Sequence, residues 1–156
     1  AIQLELAFER TAELTITIDE GVTLILTQPF IPVNCTIVNN ATMVVESVHN
    51  SGLVTFINMG TVTIPDGGSF APGQSDILNH GTFAVEAGGE LLLERGTQFS
   101  NYAAMENSGY IRVDDGGAIT DMEGSIANQG VMDIHSYFNG DISLITGEGT
   151  LNDKRE

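Results

Sequence analysis

The sequence of 156 residues has very few cationic side chains. Only 5 Lys and Arg stand against 21 Asp and Glu, and the formal net charge at pH 7 is -16. Proteins bind nucleic acids and anionic membrane surfaces chiefly through Lys and Arg. The shortage of these residues therefore excludes both partners and leaves metal cations and neutral polymers.

Cysteine, tryptophan and long apolar runs are also scarce. The single cysteine, Cys35, excludes an internal disulfide bond, so we expect a buried free thiol. No apolar run reaches the roughly 18 residues of a membrane-spanning helix, so we expect no membrane span. No basic segment followed by an apolar one resembles a secretion signal at the start. With 42% hydrophobic residues and 18 Gly, the chain instead suits a single domain with its own core.

One pattern recurs along the chain: an Asn followed by alternating apolar residues. The copies read IVNNATMVV, FINMGTVTIPDGG, ILNHGTFAVEAGG, MENSGYIRVDDGG and IANQGVMDIHS, and their aligned asparagines are Asn39, Asn58, Asn79, Asn107 and Asn128. The spacings are 19, 21, 28 and 21 residues. A degenerate copy, LTITIDEGV, precedes them and a truncated one, GEGTLND, follows. Such periods are typical of solenoids, whose repeats must stack to bury their apolar faces.

The contents of one repeat indicate the kind of solenoid. Apolar residues stand four and six positions after each Asn, which is the period of a strand with one face inward. A Gly-Gly pair follows in three copies, and another apolar residue comes after it. Each repeat is therefore strand, turn, strand, turn. We predict an all-β fold, a single-stranded parallel β-helix (β-solenoid) of about six to seven coils of roughly 21 residues.

The recurring asparagines share the inward face of their strands. A buried amide must be hydrogen-bonded, and identical side chains on coils about 4.8 Å apart can bond each other. We therefore predict that Asn39, Asn58, Asn79, Asn107 and Asn128 form one structural ladder.

These motifs together resemble the right-handed parallel β-helix repeats of microbial cell-surface and secreted proteins, which include adhesin-like solenoids and the pectate-lyase-like group. The resemblance covers roughly residues 12–151, and its motif carries no catalytic residue. It implies an extracellular or cell-surface setting rather than a reaction.

The two ends of the chain differ from the repeat. Residues 1–11 contain a strand pattern, with Ile2, Leu4, Leu6 and Phe8 on one face. This strand either caps the first coil of its own solenoid or completes the core of a neighbouring molecule. Residues 12–151 form the solenoid, and residues 152–156 form a charged tail containing Lys154 and Arg155. Neither end shows a capping helix, which favours head-to-tail assembly with copies of the same chain.

Acidic residues gather after the strands, at what we predict to be one edge of the solenoid. The members are Asp19, Glu20, Glu46, Asp66, Glu86, Asp114 and Asp115. A solvated acidic edge is the ordinary interpretation. The alternative is a Ca²⁺ site at Asp66, Glu86, Asp114 and Asp115, because a hard cation would relieve the repulsion between stacked carboxylates.

The 28-residue spacing suggests an insertion at residues 97–104. Insertions in solenoids often carry binding groups, and Phe99, Asn101 and Tyr102 could stack on and hydrogen-bond a polysaccharide. A passive bulge is the other interpretation. Tyr137 and Phe138 are a second aromatic pair, and Asn34 and Asn40 match the glycosylation acceptor pattern.

Two further functions receive little support from the residues. Catalysis is not expected, because Arg95 and Arg112 fall at different places in the repeat and the coils are nearly minimal in length. Ice binding is suggested by TIT at 15–17 and TVT at 61–63, but TMV, TFA, YIR and VMD interrupt the row. We therefore expect a non-enzymatic extracellular structural protein that polymerises into a filament or sheath, with a monomeric adhesin or carbohydrate-binding module as the alternative.

Overall fold

The structure is a computed structural model and describes residues 2–3, 13–27, 33–49, 52–114 and 116–155. In these residues the chain is a parallel β-solenoid of about 6 turns of ~21 residues, which confirms the predicted fold class. The one helical segment in this part of the chain is a short 3-10 helix at Ile142–Leu144.

Three parallel sheets form the sides of the solenoid. Sheet A consists of β1 (Ile2–Gln3), β3 (Thr23–Leu26), β5 (Thr42–Val45), β8 (Thr61–Ile64), β11 (Thr82–Val85), β14 (Ala104–Asn107), β17 (Ser125–Asn128) and β20 (Ile145–Thr146). Sheet B consists of β2 (Leu14–Ile18), β4 (Val33–Asn39), β7 (Gly52–Asn58), β10 (Asp76–Asn79), β13 (Gln98–Asn101), β16 (Ala118–Met122) and β19 (Tyr137–Phe138). Sheet C consists of β6 (Ser47–His49), β9 (Ser69–Ala71), β12 (Glu90–Leu93), β15 (Tyr110–Val113), β18 (Val131–Ile134) and β21 (Thr150–Asp153).

Each complete coil contributes one strand to sheet B, then one to sheet A and one to sheet C. We call the three bends of a coil the B–A, A–C and C–B corners. Most strands alternate between buried and partly exposed residues, as the period of two predicts. The solenoid continues to Asp153 in β21, beyond the predicted end at residue 151.

Phenylalanines stack through the middle of the core. Phe56 meets Phe70 edge-on with ring centroids 5.1 Å apart, and Phe83 meets Phe99 in the same way at 5.2 Å. Phe70 and Phe83 lie nearly parallel at 6.4 Å, so the four rings form one continuous row. Aromatic pairs of this kind contribute about 0.5–1.5 kcal/mol beyond the area that they bury. Cys35 is buried in the same core, and its burial raises the pKa of the thiol.

The repeat changes corner between its third and fourth copies. Asn58 and Asn79 end strands of sheet B, whereas Asn107 and Asn128 end strands of sheet A. The 28-residue spacing is therefore one full coil, from Asn79 to its register partner Asn101, plus one further side. The predicted insertion at residues 97–104 is wrong, because Gln98–Asn101 is the regular strand β13 and Ala104 begins β14.

Several corners between sheets C and B contain left-handed backbone without glycine. The φ angles are +53° at Asn34, +53° at Leu53, +48° at Gln74 and +51° at Arg95. The backbone N–H of Leu53 donates to the carbonyl of Gln74, and that of Gln74 donates to the carbonyl of Arg95. These backbone bonds hold the left-handed residues of successive coils in place. Of the four, Leu53 is the residue type least suited to left-handed backbone.

Candidate functional site

The asparagine ladder of sheet B runs through four coils at the B–A corner. Asn39 Nδ2 donates to Asn58 Oδ1, Asn58 Nδ2 to Asn79 Oδ1, and Asn79 Nδ2 to Asn101 Oδ1, each at 2.8 Å. All four side chains are at most 2% exposed. Asn101 Nδ2 ends the ladder at the sulfur of Met122, 3.7 Å away.

Backbone groups satisfy the remaining hydrogen-bonding capacity of these amides. Asn79 Nδ2 also donates to the carbonyl of Ala104, and Asn79 Oδ1 accepts from the N–H of Gly81. The second of these bonds closes the corner, as Asn side chains do in Asx turns. The ladder is therefore a structural device and offers no free polar group to a ligand.

The last two asparagines of the predicted ladder form a separate pair at the A–C corner. Asn107 Nδ2 donates to Asn128 Oδ1 at 2.7 Å, and Asn128 Nδ2 donates to the carbonyl of Thr150. The prediction of one column is wrong, because the repeat has moved by one side of the solenoid. Asn101, which we had assigned to a ligand loop, occupies the place in the first ladder that we had assigned to Asn107.

The predicted ligand loop is not an exposed loop. Phe99 is 0% exposed and packs against Phe83, and Asn101 is also 0% exposed. Neither side chain is accessible to a polysaccharide, which corrects both assignments. Tyr102 is partly exposed, and its ring stacks on that of His80 with the centroids 4.6 Å apart. Its hydroxyl donates to Asp121 at 3.3 Å.

The second aromatic pair, Tyr137 and Phe138, has one ring on the surface and one in the core. Tyr137 is 58% exposed, whereas Phe138 is 6% exposed and belongs to the last layer of the core. These residues line a shallow open depression at the end of the stack, together with His135, Asp153 and Arg155.

The acidic residues do not form one edge. Glu46, Asp66 and Glu86 lie at the A–C corner, Asp114 lies at the C–B corner, and Asp19 and Glu20 lie at the B–A corner. Asp115 is outside the described residues. In the part of the chain that the structure describes, no three His, Cys, Asp or Glu side chains come close enough to hold a metal ion. The Ca²⁺ set is corrected accordingly, because the change of corner separates Asp114 from Asp66 and Glu86.

A hydrogen-bonded group lies on the outer face of sheet C, near the C-terminal end. Asp133 accepts from Asn152 Nδ2 at 2.7 Å and from the hydroxyl of Tyr110 at 3.0 Å. The hydrogen bond from Asn152 lowers the pKa of Asp133 most, and the bond from Tyr110 lowers it further. Arg112 pairs with Asp114 on its own strand end. The group joins three neighbouring strands and keeps its carboxylate ionised.

Both ends of the stack present apolar residues that the core buries only in part. At the N-terminal end, Leu14, Ile16 and Val22 pack against the core but stay partly exposed. At the C-terminal end the same holds for a larger group, which comprises Ile142, Leu144, Ile145 and Leu151. No α-helix covers either end within the described residues.

Arg155 lies against the C-terminal end. Its guanidinium donates to both carboxylate oxygens of Asp153, at 2.7 and 2.6 Å, and to the carbonyl of Phe138 at 3.0 Å. It also lies over the ring of Phe138, 5.4 Å from the centroid. The hydrogen bonds that Asp153 accepts from Arg155 lower the pKa of its carboxyl group to about 2. Arg155 therefore satisfies a carbonyl on the edge strand β19.

Most of the predicted assembly strand lies outside the described residues. This applies to Leu4, Leu6 and Phe8. Ile2 and Gln3 form β1, whose backbone pairs in parallel with Leu24 and Ile25 of the same chain.

Comparison with protein families, curated proteins and solved structures finds no match to this chain. The β-solenoid architecture therefore comes from the structure itself. The adhesin-like or pectate-lyase-like identity stays a prediction from the repeat. No helix among the described residues is long and apolar enough to cross a membrane.

Proposed function

We propose that this protein is a non-enzymatic structural subunit that stacks end to end with copies of itself into an extracellular or cell-surface filament or sheath. The observation that carries the proposal is that, among the described residues, no helix covers either end of the stack. Both expose strand edges and partly buried apolar residues, and such surfaces favour pairing with another chain.

Two of the three sides of the solenoid, sheets A and B, present a strand edge at both ends. Sheets A and B run to the N-terminal end, with β1 and β2 as the outer strands, and all three sheets run to the C-terminal end. A second subunit placed on the axis of the first could continue the parallel ladders. Such a contact is heterologous, so it propagates instead of closing a dimer.

Charge along the stack favours the same orientation. Lys154 and Arg155 lie at the C-terminal end, while Glu13, Asp19 and Glu20 lie in the first described coil. Of these acids, Glu13 directly precedes sheet B, as Lys154 would in a continuing stack, so this pair could meet when the C-terminal end of one subunit contacts the N-terminal end of the next. The net charge of -16 on each subunit opposes side-by-side association.

The monomeric carbohydrate-binding alternative loses its main support. Two of the three side chains that it required, Phe99 and Asn101, are buried. The third, Tyr102, is partly exposed, and its ring is stacked on that of His80.

The test is the oligomeric state of the full chain. Negative-stain microscopy and light scattering of the wild-type protein should show elongated assemblies instead of a 16.6 kDa monomer. Leu151→Glu places a charge on the C-terminal end of the stack and should abolish assembly. The matched control is Val131→Glu, because Val131 is 37% exposed on the side of the solenoid.

Three results decide the outcome. Assembly of wild type and Val131→Glu, but not of Leu151→Glu, supports stacking through the ends. A wild-type monomer at every concentration overturns the proposal, and so does a Leu151→Glu protein that still forms fibres. Deleting residues 1–9 then tests strand exchange: intact fibres would show that this segment does not complete the neighbouring core.

A further inference from the structure

The outward side chains of sheet A form two straight columns over four consecutive coils. The first column is threonine in every coil, and its members are Thr23, Thr42, Thr61 and Thr82. The second column is small or β-branched and consists of Ile25, Val44, Thr63 and Ala84. All eight residues are partly exposed. We call this surface the threonine face.

The corner change accounts for two of the four segments that interrupt the row in the sequence, YIR and VMD. TIT at 15–17 belongs to sheet B, and YIR at 110–112 and VMD at 131–133 belong to sheet C. None of these segments lies in the row that contains Thr61. On sheet A the threonine column is continuous over four coils. In the fifth coil Ala104 takes the threonine position and Glu106 takes the position of the second column.

The threonine face carries no charged residue, although the chain has 21 Asp and Glu. The described carboxylates of these coils lie at the corners, as Glu46, Asp66 and Glu86 do, or on the other two sheets, as Asp76 and Glu90 do. A surface with this charge distribution fits an uncharged occupant, because a cationic one would bind the acidic corners instead.

The face is regular in both directions. Neighbouring strands lie about 4.8 Å apart, and alternate residues on one strand lie about 6.7 Å apart. The register from β3 to β11 contains no bulge. The asparagine ladder supports the face from inside, because Asn39 donates to the carbonyl of Thr61 and Asn58 to that of Thr82.

Two familiar occupants do not fit. A polysaccharide surface is usually met by aromatic side chains, and neither column contains one. A second copy of the chain would need to bury about 800 Å² on each partner, whereas strand spacing and residue rise give this face roughly 250 Å².

We propose that the threonine face binds ice. Threonine hydroxyls at regular intervals can occupy positions of an ordered water lattice, and the methyl groups around them hold adjacent water in restricted orientations. The binding is independent of end-to-end stacking, because it uses the side of the solenoid.

The experiment measures partition of fluorescently labelled full-length protein into a slowly growing hemisphere of ice. Wild type should enter the ice, and Thr61→Lys should be excluded. The matched control is Ser69→Lys, which puts the same charge on sheet C in the same coil and should be incorporated like wild type. Equal melting temperatures of the three proteins establish that the comparison concerns folded molecules.

Each result bears on the proposal. Exclusion of Thr61→Lys with incorporation of Ser69→Lys supports it. Exclusion of the wild type overturns it, and so does incorporation of both variants, since another surface would then be responsible. A dimer that Thr61→Lys disrupts, without incorporation of wild type into ice, would assign the face to a second copy.

Discussion

Asn79 donates a 2.8 Å hydrogen bond to Asn101 inside the core, across one complete coil of the solenoid. This bond shows that the chain between them makes a regular turn with no inserted loop. It also extends the first ladder to a residue that the sequence repeat had placed outside it. The position of every later strand on its sheet follows from this relationship.

Replacing Asn79 with alanine should destabilise the solenoid by about 2–4 kcal/mol, because buried partners on both sides lose hydrogen bonds. Asn58 Nδ2 and Asn101 Oδ1 both bond the Asn79 side chain. Chemical denaturation measures the free energy of unfolding. Asn40→Ala, in which an exposed side chain next to the ladder is removed, should change that free energy by less than about 0.5 kcal/mol. Equal values for the two variants would contradict the energetic role of the ladder.

Phe99→Ala should cost about 3–5 kcal/mol, as expected when a large buried ring is removed. Phe99 is 0% exposed and packs edge-on against Phe83. The comparison is Tyr102→Ala. It removes a partly exposed ring from the same segment and should lower the free energy of unfolding much less. Thermal unfolding followed by circular dichroism gives both values. A Phe99→Ala protein as stable as wild type would restore the interpretation of residues 97–104 as a loop.

Leu53→Asn should stabilise the protein by about 1 kcal/mol, because Asn tolerates left-handed backbone and Leu does not. Leu53 has a φ of +53° and is 62% exposed, so its replacement removes little packing. Met59→Asn is the control, since Met59 is 53% exposed and has no positive φ. The urea midpoints of unfolding compare the two variants. A loss of stability in Leu53→Asn would mean that the packing of the Leu53 side chain contributes more to stability than its backbone strain costs.

The pKa of Asp153 should rise toward its ordinary value of 3.8 when Arg155 is replaced by glutamine. The hydrogen bonds from Arg155 lower the pKa of Asp153 to about 2 in the folded chain. A carboxyl group with a lowered pKa adds stability at pH values above 3.8, and this stability is lost as the pH falls toward 2. The wild type should therefore lose stability between pH 3.8 and 2. Arg155→Gln should not show the part of this loss that comes from Asp153.

Carbon NMR of the Asp153 carboxyl group measures the titration directly. Lys154→Gln serves as the control, because Arg155 supplies the hydrogen bonds that cause the shift. A pKa that remains near 2 in Arg155→Gln would refute the assignment of its cause.

Most of the fold could be predicted because it rests on local patterns. Alternating residues such as Phe83 and Val85 require a strand with one buried face, and a repeat too small for its own core must stack. The inward direction of Asn79 follows from the same alternation.

The corner change could not be predicted from the repeat alone. An Asn followed by a Gly can close either the B–A or the A–C corner, since both need a tight bend after a buried strand. Aligning the chain on this motif therefore made a shift of one side look like an insertion before Asn107. One signal was present: Phe99 and Asn101 alternate as strand residues, and Asn101 lies 22 residues after Asn79. Asp114 of the acidic set and the YIR and VMD segments of the threonine row were misplaced for the same reason.

The change of corner also determines how the length of this protein can be altered by design. Removing residues 80–101 would join Asn79 to Tyr102 and shorten the stack by one whole coil, with every later strand still on its own sheet. Removing residues 80–107, which the sequence motif suggests as the natural unit, would join Asn79 to Ser108 and rotate the C-terminal coils by one side. In this chain the interchangeable building block is therefore defined by hydrogen-bond register, and a designer who copied the written motif would assemble mismatched faces.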